Sequence, residues 1–259
     1  MLDQVTPLIL TFNEAPNIGR VLDRLKWAKR VVVVDSFSVD ETEAITKKYS
    51  NVSLFQRRFD CHASQWNFGL RETRIDTDWV LALDADYILS DAFVIELRAL
   101  TPSIDEAGYR ADFCYCIEGV PLSGTVYTPV TVLFRQTNAI YEQQGHTQRL
   151  RVTGKVSALS TPINHDDRKP LERWFTSQIK YMQLESEAIF STPMAKLDMP
   201  DKVRKLVFIA PLAMLVYCLV GKRAILDGKR GIFYACQRAV AEGILSLFLL
   251  QKMLGRQPK

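Results

Sequence analysis

Apolar residues in the first third of the chain come in blocks. Thr6–Phe12 (TPLILTF) is an almost unbroken apolar run, and Val31-Val32-Val33-Val34 sets four β-branched residues in a row. Runs of this kind predict strands buried on both faces, as in a parallel sheet. Val52–Phe55 and Trp79–Leu83 repeat the signal. Between the runs the period changes. Ile18, Val21, Leu22 and Leu25 fall at helical spacing and predict a helix from Ile18 to about Lys29, with Asn17 as its cap. Further helices are expected up to Tyr49 behind an Asp40 cap, over Ala63–Arg74, and over Ala92–Leu100 behind Ser90 or Asp91. Strand and helix therefore alternate from Thr6 to Leu83, the pattern of an open, mostly parallel α/β sheet flanked by helices.

The second half is less regular. Gly108–Phe113, Val126-Tyr127 and Val130–Phe134 read as strands. Gln143–Arg149 and Ile163–Arg168 are polar clusters holding two of the chain's three histidines, and a helix follows from Leu171 to about Phe190. Leu206–Val220 is then a run of 15 residues with no polar interruption beyond Tyr217, if Pro211 is counted with it, bracketed by Arg204/Lys205 and Lys222/Arg223. A bilayer-spanning helix needs about 20 such residues, so this run suits one leaflet. Ile232–Met253 predicts a second apolar helix, in which Arg238 and Glu242 stand four apart and could pair. These features divide the chain at residue 200, with a body over 1–200 and a helical hairpin over 201–259.

Charge sharpens that division. The net charge of +4 conceals a basic tail, with 11 Lys/Arg against 3 Asp/Glu from Asp201 onward. Apolar insertion plus basic flanks predicts binding to an anionic membrane surface on the cytoplasmic side. Basic residues sit beside apolar runs and are not interleaved with aromatics on the body, so nucleic acid is not the expected partner. Five cysteines without framework spacing, and an N-terminus unlike a signal peptide, suit reduced thiols in the cytosol.

Candidate chemistry collects where the predicted strands end. Asn13 and Glu14 follow the first strand, Asp35 closes the second, and Asp84 and Asp86 follow Trp79–Leu83. In open α/β sheets ligands bind beyond the carboxyl ends of the strands. Two acids at spacing two point to one side of an extended chain. Such a pair is suited to a hard divalent cation with oxygen ligands, Mg²⁺ or Mn²⁺, which leaves other positions for a diphosphate. No G-x-G-x-x-G follows the first strand and no G-x-x-x-x-G-K-[ST] occurs anywhere, which removes the main support for dinucleotide-binding and P-loop readings. A sugar nucleotidyltransferase would likewise need a glycine-rich loop where TFNEAPN stands.

TFNEAPNI, VVVVDSFSVDET, SQWNFGL and WVLALDADY, in this order, resemble the motifs of glycosyltransferase family 2 with the GT-A fold. The INHDDRKPLERW stretch and the LDG-containing tail are similar to the bacterial lipopolysaccharide-core branch. The resemblance implies inverting transfer of a sugar from a nucleotide-diphosphate donor, UDP-sugar foremost, to a membrane-associated glycan or lipid-linked acceptor. It further implies that Asp35 binds the base or ribose and that Thr11, Asn13 and Glu14 line the nucleotide pocket, with Ser36, Gln65 and Asn67 on the same side. Asp84 and Asp86 would hold the cation, and His165 would complete the metal or diphosphate site. Inversion needs a base for the acceptor hydroxyl. Lipopolysaccharide-type relatives carry a His-Glu pair about 60 residues after the metal motif, where this chain reads Gly145-His146-Thr147-Gln148. His146, Glu142, Asp166 and Asp167 are therefore all candidates. The missing acid also leaves room for a membrane-tethered protein that binds nucleotide sugars without turning them over.

Overall fold

A computed structural model of the chain describes residues 1–144 and 147–255. Contacts divide it into two units: Met1–Gly119 with Tyr127–Arg168, and Val120–Val126 with Lys169–Lys259. The division thus falls after Arg168, ahead of the boundary at 200 that composition suggests.

In the first unit, the apolar blocks form β1 (Val5–Thr11), β2 (Val31–Asp35), β3 (Val52–Gln56) and β4 (Trp79–Asp84). They lie parallel in the order β3-β2-β1-β4, with Thr11 level with Asp35, Asp35 with Gln56, and Leu10 with Asp84. The sheet continues from β4 through antiparallel β9 (Val130–Arg135) to β6 (Glu106–Ala111) and β12 (Lys155–Ala158). Strand pleating sends alternate residues to opposite faces. Ile9, Val31, Val33, Leu81 and Leu83 pack with Ile18, Val21, Leu22 and Leu25 on one face. Leu8, Val32, Val34, Val80 and Ala82 pack with Trp66 and Leu70 on the other. Gly69 allows this second approach: a Cβ there would stand 2.7 Å from Leu8 Cδ1.

The helices between are α1 (Ile18–Asp23), α2 (Thr42–Thr46), α3 (His62–Glu72) and α4 (Asp91–Ala99). The helix expected to reach Lys29 stops at Asp23, because Leu25 N–H bonds Leu22 O and Ala28 N–H bonds Leu25 O in tighter i→i+3 turns. These turns still bury Leu25 and Ala28. Asn17 makes no side-chain cap; its amide serves elsewhere. No strand forms at Val126-Tyr127. A smaller sheet places β13 (Ile163–His165) between β5 (Tyr87–Ile88), antiparallel, and β7 (Phe113–Ile117), parallel. A hairpin of β10 (Ala139–Gln144) and β11 (Thr147–Val152) covers α3, where Asn67 grips both backbone groups of Tyr141 at 2.8 and 3.0 Å.

The second unit is helical apart from β8 (Val120–Pro121). It comprises α5 (Leu171–Ser191), α6 (Met199–Arg204), α7 (Ile209–Val216), which continues as a wider π turn over Tyr217–Gly221, and α8 (Gly228–Met253). Ile189, Leu197, Val207, Leu245 and Leu249 form its core. Glu242 is buried and meets Arg204 at 2.9 Å, and Arg204 also reaches Asp201 and Glu185. The expected Arg238–Glu242 pair is therefore replaced; Arg238 lies over the Tyr234 ring at 5.7 Å. Within the same unit Ser123 binds Asp227 through both its N–H and its hydroxyl. By length and composition one helix among the described residues, Ala224–Met253, is long and apolar enough to cross a membrane.

Candidate active site

The carboxyl ends of β1, β2 and β4 share one edge of the sheet, and the first unit gathers its polar side chains there. β4 ends with Asp84 exposed to solvent, and the chain turns through buried Ala85 and Asp86 into β5. Because β5 pairs with β13, with Tyr87 opposite His165, Asp86 and His165 come together although 79 apart in sequence. Asp166 N–H bonds Asp86 O at 3.0 Å, and His165 Nε2 lies 3.2 Å from Asp86 Oδ2. Three rings wall the imidazole, those of Tyr87, Tyr115 and Tyr127, with centroids at 5.3, 4.9 and 4.8 Å. Burial favours the neutral ring, but the charge and hydrogen bond of Asp86 and the charges of Asp84 and Asp167 outweigh it, so His165 titrates above its ordinary value.

These donors suit a divalent cation. Asp86 offers carboxylate oxygen and His165 offers imidazole nitrogen, while Asp84 is close enough to act on the same imidazole. The expected three-ligand set is not preassembled: among the described residues no three His, Cys, Asp or Glu form a group that could hold a metal. A cation seated on Asp86 and His165 would therefore draw its remaining ligands from water and a diphosphate, the usual habit of Mg²⁺.

The nucleotide-side residues form an interlocked pair of loops. Asp35 is wholly buried and accepts from Thr11 Oγ1 at 2.9 Å, from Ser38 N–H at 2.8 Å and from Ser38 Oγ. Asn13 N–H donates to Ser38 Oγ at 2.7 Å, and Asn13 Oδ1 accepts from Val39 N–H at 2.8 Å. Asn13 and Phe37 both adopt left-handed backbone, with φ of 54° and 60°. Such conformations in residues other than glycine persist only where surrounding bonds enforce them, and they concentrate at binding sites. Ser36 Oγ accepts from Gln65, whose carbonyl holds Arg57 at 2.7 Å. Asn67, expected on this side, instead holds the hairpin.

The base candidates separate. Asp166 is buried, bound by Arg20 NH1 at 2.6 Å, Arg168 Nε at 3.0 Å and Gly119 N–H at 3.1 Å. Burial raises its pKa, but Arg168, the Gly119 N–H and Arg20 together hold it below the usual carboxylate value. That position makes Asp166 a structural anion. Glu142 pairs with Arg151 at 2.6 Å. Asp167 is half-buried and accepts from the neutral amide of Asn17 at 2.9 Å, and Glu14 accepts from the same amide nitrogen. His146 lies outside the described residues. Sequence reasoning missed Arg20 and the wider role of Asn17; their spacing of three, on the polar side of α1, was the signal available. It also missed Tyr87, Tyr115 and Tyr127, for which no local pattern exists.

Replacing Asp166 by Asn should destabilise the chain by about 3 kcal/mol, since one partner of a buried ion pair is removed while both arginines stay partly solvated. Because the folded carboxyl titrates below its unfolded value, its stabilisation is complete above about pH 4 and is lost as pH falls through the folded value. Asp166→Asn should therefore flatten the acid limb of a stability–pH profile measured by urea unfolding. An unchanged limb would remove the network from the account.

A profile described as Glycosyl transferase family 2 matches residues 8–139, which is half of the chain. The chain belongs to glycosyltransferase family 2. The matched residues run from β1 through the Asp84–Asp86 turn to the start of β10. An uncharacterized glycosyltransferase of Rickettsia felis is 30% identical over 111 residues, 42% of this chain and 38% of that protein. Its counterpart in Rickettsia conorii is 30% identical over 112 residues, 43% and 39% of the two chains. The match thus spans less than half the length of either relative. Among solved structures, S. aureus TarS 1–349 in complex with UDP-GlcNAc superposes with a TM-score of 0.50 at 14% identity, covering 99% of this chain and 93% of that one. At that identity the likeness concerns the fold.

Proposed function

We propose that this family 2 chain is an inverting, cation-dependent glycosyltransferase. It would take a sugar from a nucleoside-diphosphate donor and pass it to a membrane-associated glycan or lipid-linked acceptor, of the lipopolysaccharide type or related, at the cytoplasmic face of a membrane. The observation that carries this reading is the Asp86–His165 contact at the strand edge, beside the loops tied together by Asp35 and Asn13. The nucleotide occupies the ends of β1 and β2, where Thr11, Asn13, Glu14, Ser36 and Gln65 are held in place. Asp86 and His165, with Asp84 alongside, would hold Mg²⁺ or Mn²⁺. When bound, the cation offsets the negative charge that grows on the leaving diphosphate.

The remaining work belongs to side chains. The acceptor oxygen attacks the anomeric carbon from the face opposite the leaving group, and Asp167 takes its proton as the bond to the diphosphate breaks. Arg20 and Arg168 keep Asp166 ionised and fix the turn that carries Asp167. Asn17 holds Asp167 and the first loop in register.

Measuring nucleotide release from a panel of UDP- and GDP-sugars with Mn²⁺, Mg²⁺ or chelator tests the proposal. UDP-GlcNAc comes first, because the S. aureus fold neighbour was crystallised with it. Metal-dependent release from one donor is expected. Calorimetric binding of UDP without release from any donor, with candidate acceptors present, would make the chain a binding protein instead.

A further inference from the structure

In α7 and the π turn that extends it, the outward-facing side chains are apolar. Ile209, Leu212, Ala213, Val216, Tyr217 and Val220 follow one another at intervals of three and one, a single stripe of a helix, and all are exposed. Leu212 is 68% exposed and Val220 67%, and Phe208, just before the helix, is 74% exposed. The opposite stripe, Ala210 and Cys218, is buried within the helical unit. A surface helix in water normally shows the reverse distribution. A contiguous apolar face of this kind marks a contact with something apolar.

Charge identifies the occupant. Lys202 and Lys205 precede the stripe, and Lys222, Arg223, Lys229 and Arg230 follow it. The Lys222 ammonium lies 5.7 Å from the Tyr217 ring, so the cation sits at the end of the apolar stripe, as interfacial lysines do. Apolar side chains ending in cations match acyl chains topped by anionic headgroups.

Length rules out spanning by this segment. Ile209–Gly221 at 1.5 Å per residue is about 20 Å long, against a hydrocarbon core of about 30 Å. The longer helix is also unsuited to cross. α8 carries Gln237, Arg238 and Glu242 near its middle, and Glu242 is buried in an ion pair with Arg204 of α6. Tyr234, Ala235, Leu245 and Leu249 are also buried inside the unit.

We infer that α7 is the membrane-seated element of this chain. It lies in the interfacial plane of an anionic leaflet with its Ile209–Val220 stripe among the acyl chains, while α8 is the core helix of the helical unit and does not cross. The inference rests on the membrane-associated reading above and specifies its surface.

The test is co-sedimentation of the full chain with phosphatidylcholine vesicles, with and without phosphatidylglycerol. The wild type should sediment with the anionic vesicles and be released in part by salt. Leu212→Glu/Val216→Glu should lower partitioning by more than about tenfold with no change in Tm, whereas Leu247→Glu on α8 should leave it unchanged. No sedimentation of the wild type with either vesicle would end both readings. Sedimentation that survives the double substitution but is lost in Leu247→Glu would overturn this inference alone. So would a wild-type dimer in light scattering that Leu212→Glu converts to monomer, because the stripe would then be covered by a second copy.

Discussion

Replacing Asp86 by Ala should abolish sugar transfer, with turnover falling by about a thousandfold or more. That corresponds to about 4 kcal/mol of transition-state stabilisation. On the proposed reading Asp86 would act on the leaving diphosphate through a cation held with His165, so the loss should appear in kcat as well as in donor binding. Calorimetry of UDP with Mn²⁺ separates the two effects: the metal-dependent part of the affinity should vanish and any metal-independent part should remain. Asp86 is buried against His165, so a fold control is required. Asp86→Asn keeps the shape and should leave the melting profile near that of the wild type while losing turnover. His165→Ala should weaken Mn²⁺ dependence in the same assay. Asp86→Asn turning over within tenfold of the wild type would place the cation elsewhere.

The edge that carries Asp86 was readable in the sequence because its logic is local. Val31–Val34 and Trp79–Leu83 are buried strands whatever surrounds them, and a parallel register places their terminal acids at one end. Asp35 was readable as a strand-end acid, though its three bonds to Thr11 and Ser38 make it an internal tie. The partner of Asp86 was harder to read. His165 reaches it through a three-residue strand in a polar cluster, paired with the two-residue strand Tyr87–Ile88 far earlier in the chain. Neither strand is long enough to leave a periodic signal. The β10–β11 hairpin escaped for a related reason: Glu142, Gln143, Gln148 and Arg149 are polar on both sides of the pleat, so alternation is absent. Arg204 in place of Arg238 as the partner of Glu242 shows the same limit in the tail. Spacing of four permits an ion pair within a helix, but burial of Glu242 against α6 decides which cation it meets.

Asp167→Asn should lower the rate of transfer by about a hundredfold to ten-thousandfold, the range for loss of a general base, with metal-free UDP affinity unchanged. Two neighbours give the result its meaning. Asp166 stands one residue away but is bound by Arg20, Arg168 and the Gly119 N–H. A carboxylate held in that way is a weak proton acceptor, so its substitution should lower stability more than kcat. Glu142 is ion-paired to Arg151 on the hairpin, and Glu142→Gln should stay within a few-fold of wild type, as loss of a half-exposed pair has small effects. Asp167 Oδ1 accepts from the amide of Asn17, just past the strand that carries His165. On the proposed reading, the proton acceptor Asp167 and the cation ligand His165 would stand two residues apart, so one strand end would set the acceptor oxygen against the leaving diphosphate. If Glu142→Gln removes transfer while Asp167→Asn retains it, the base lies on the β10–β11 hairpin, and the acceptor approaches from that side of the sheet.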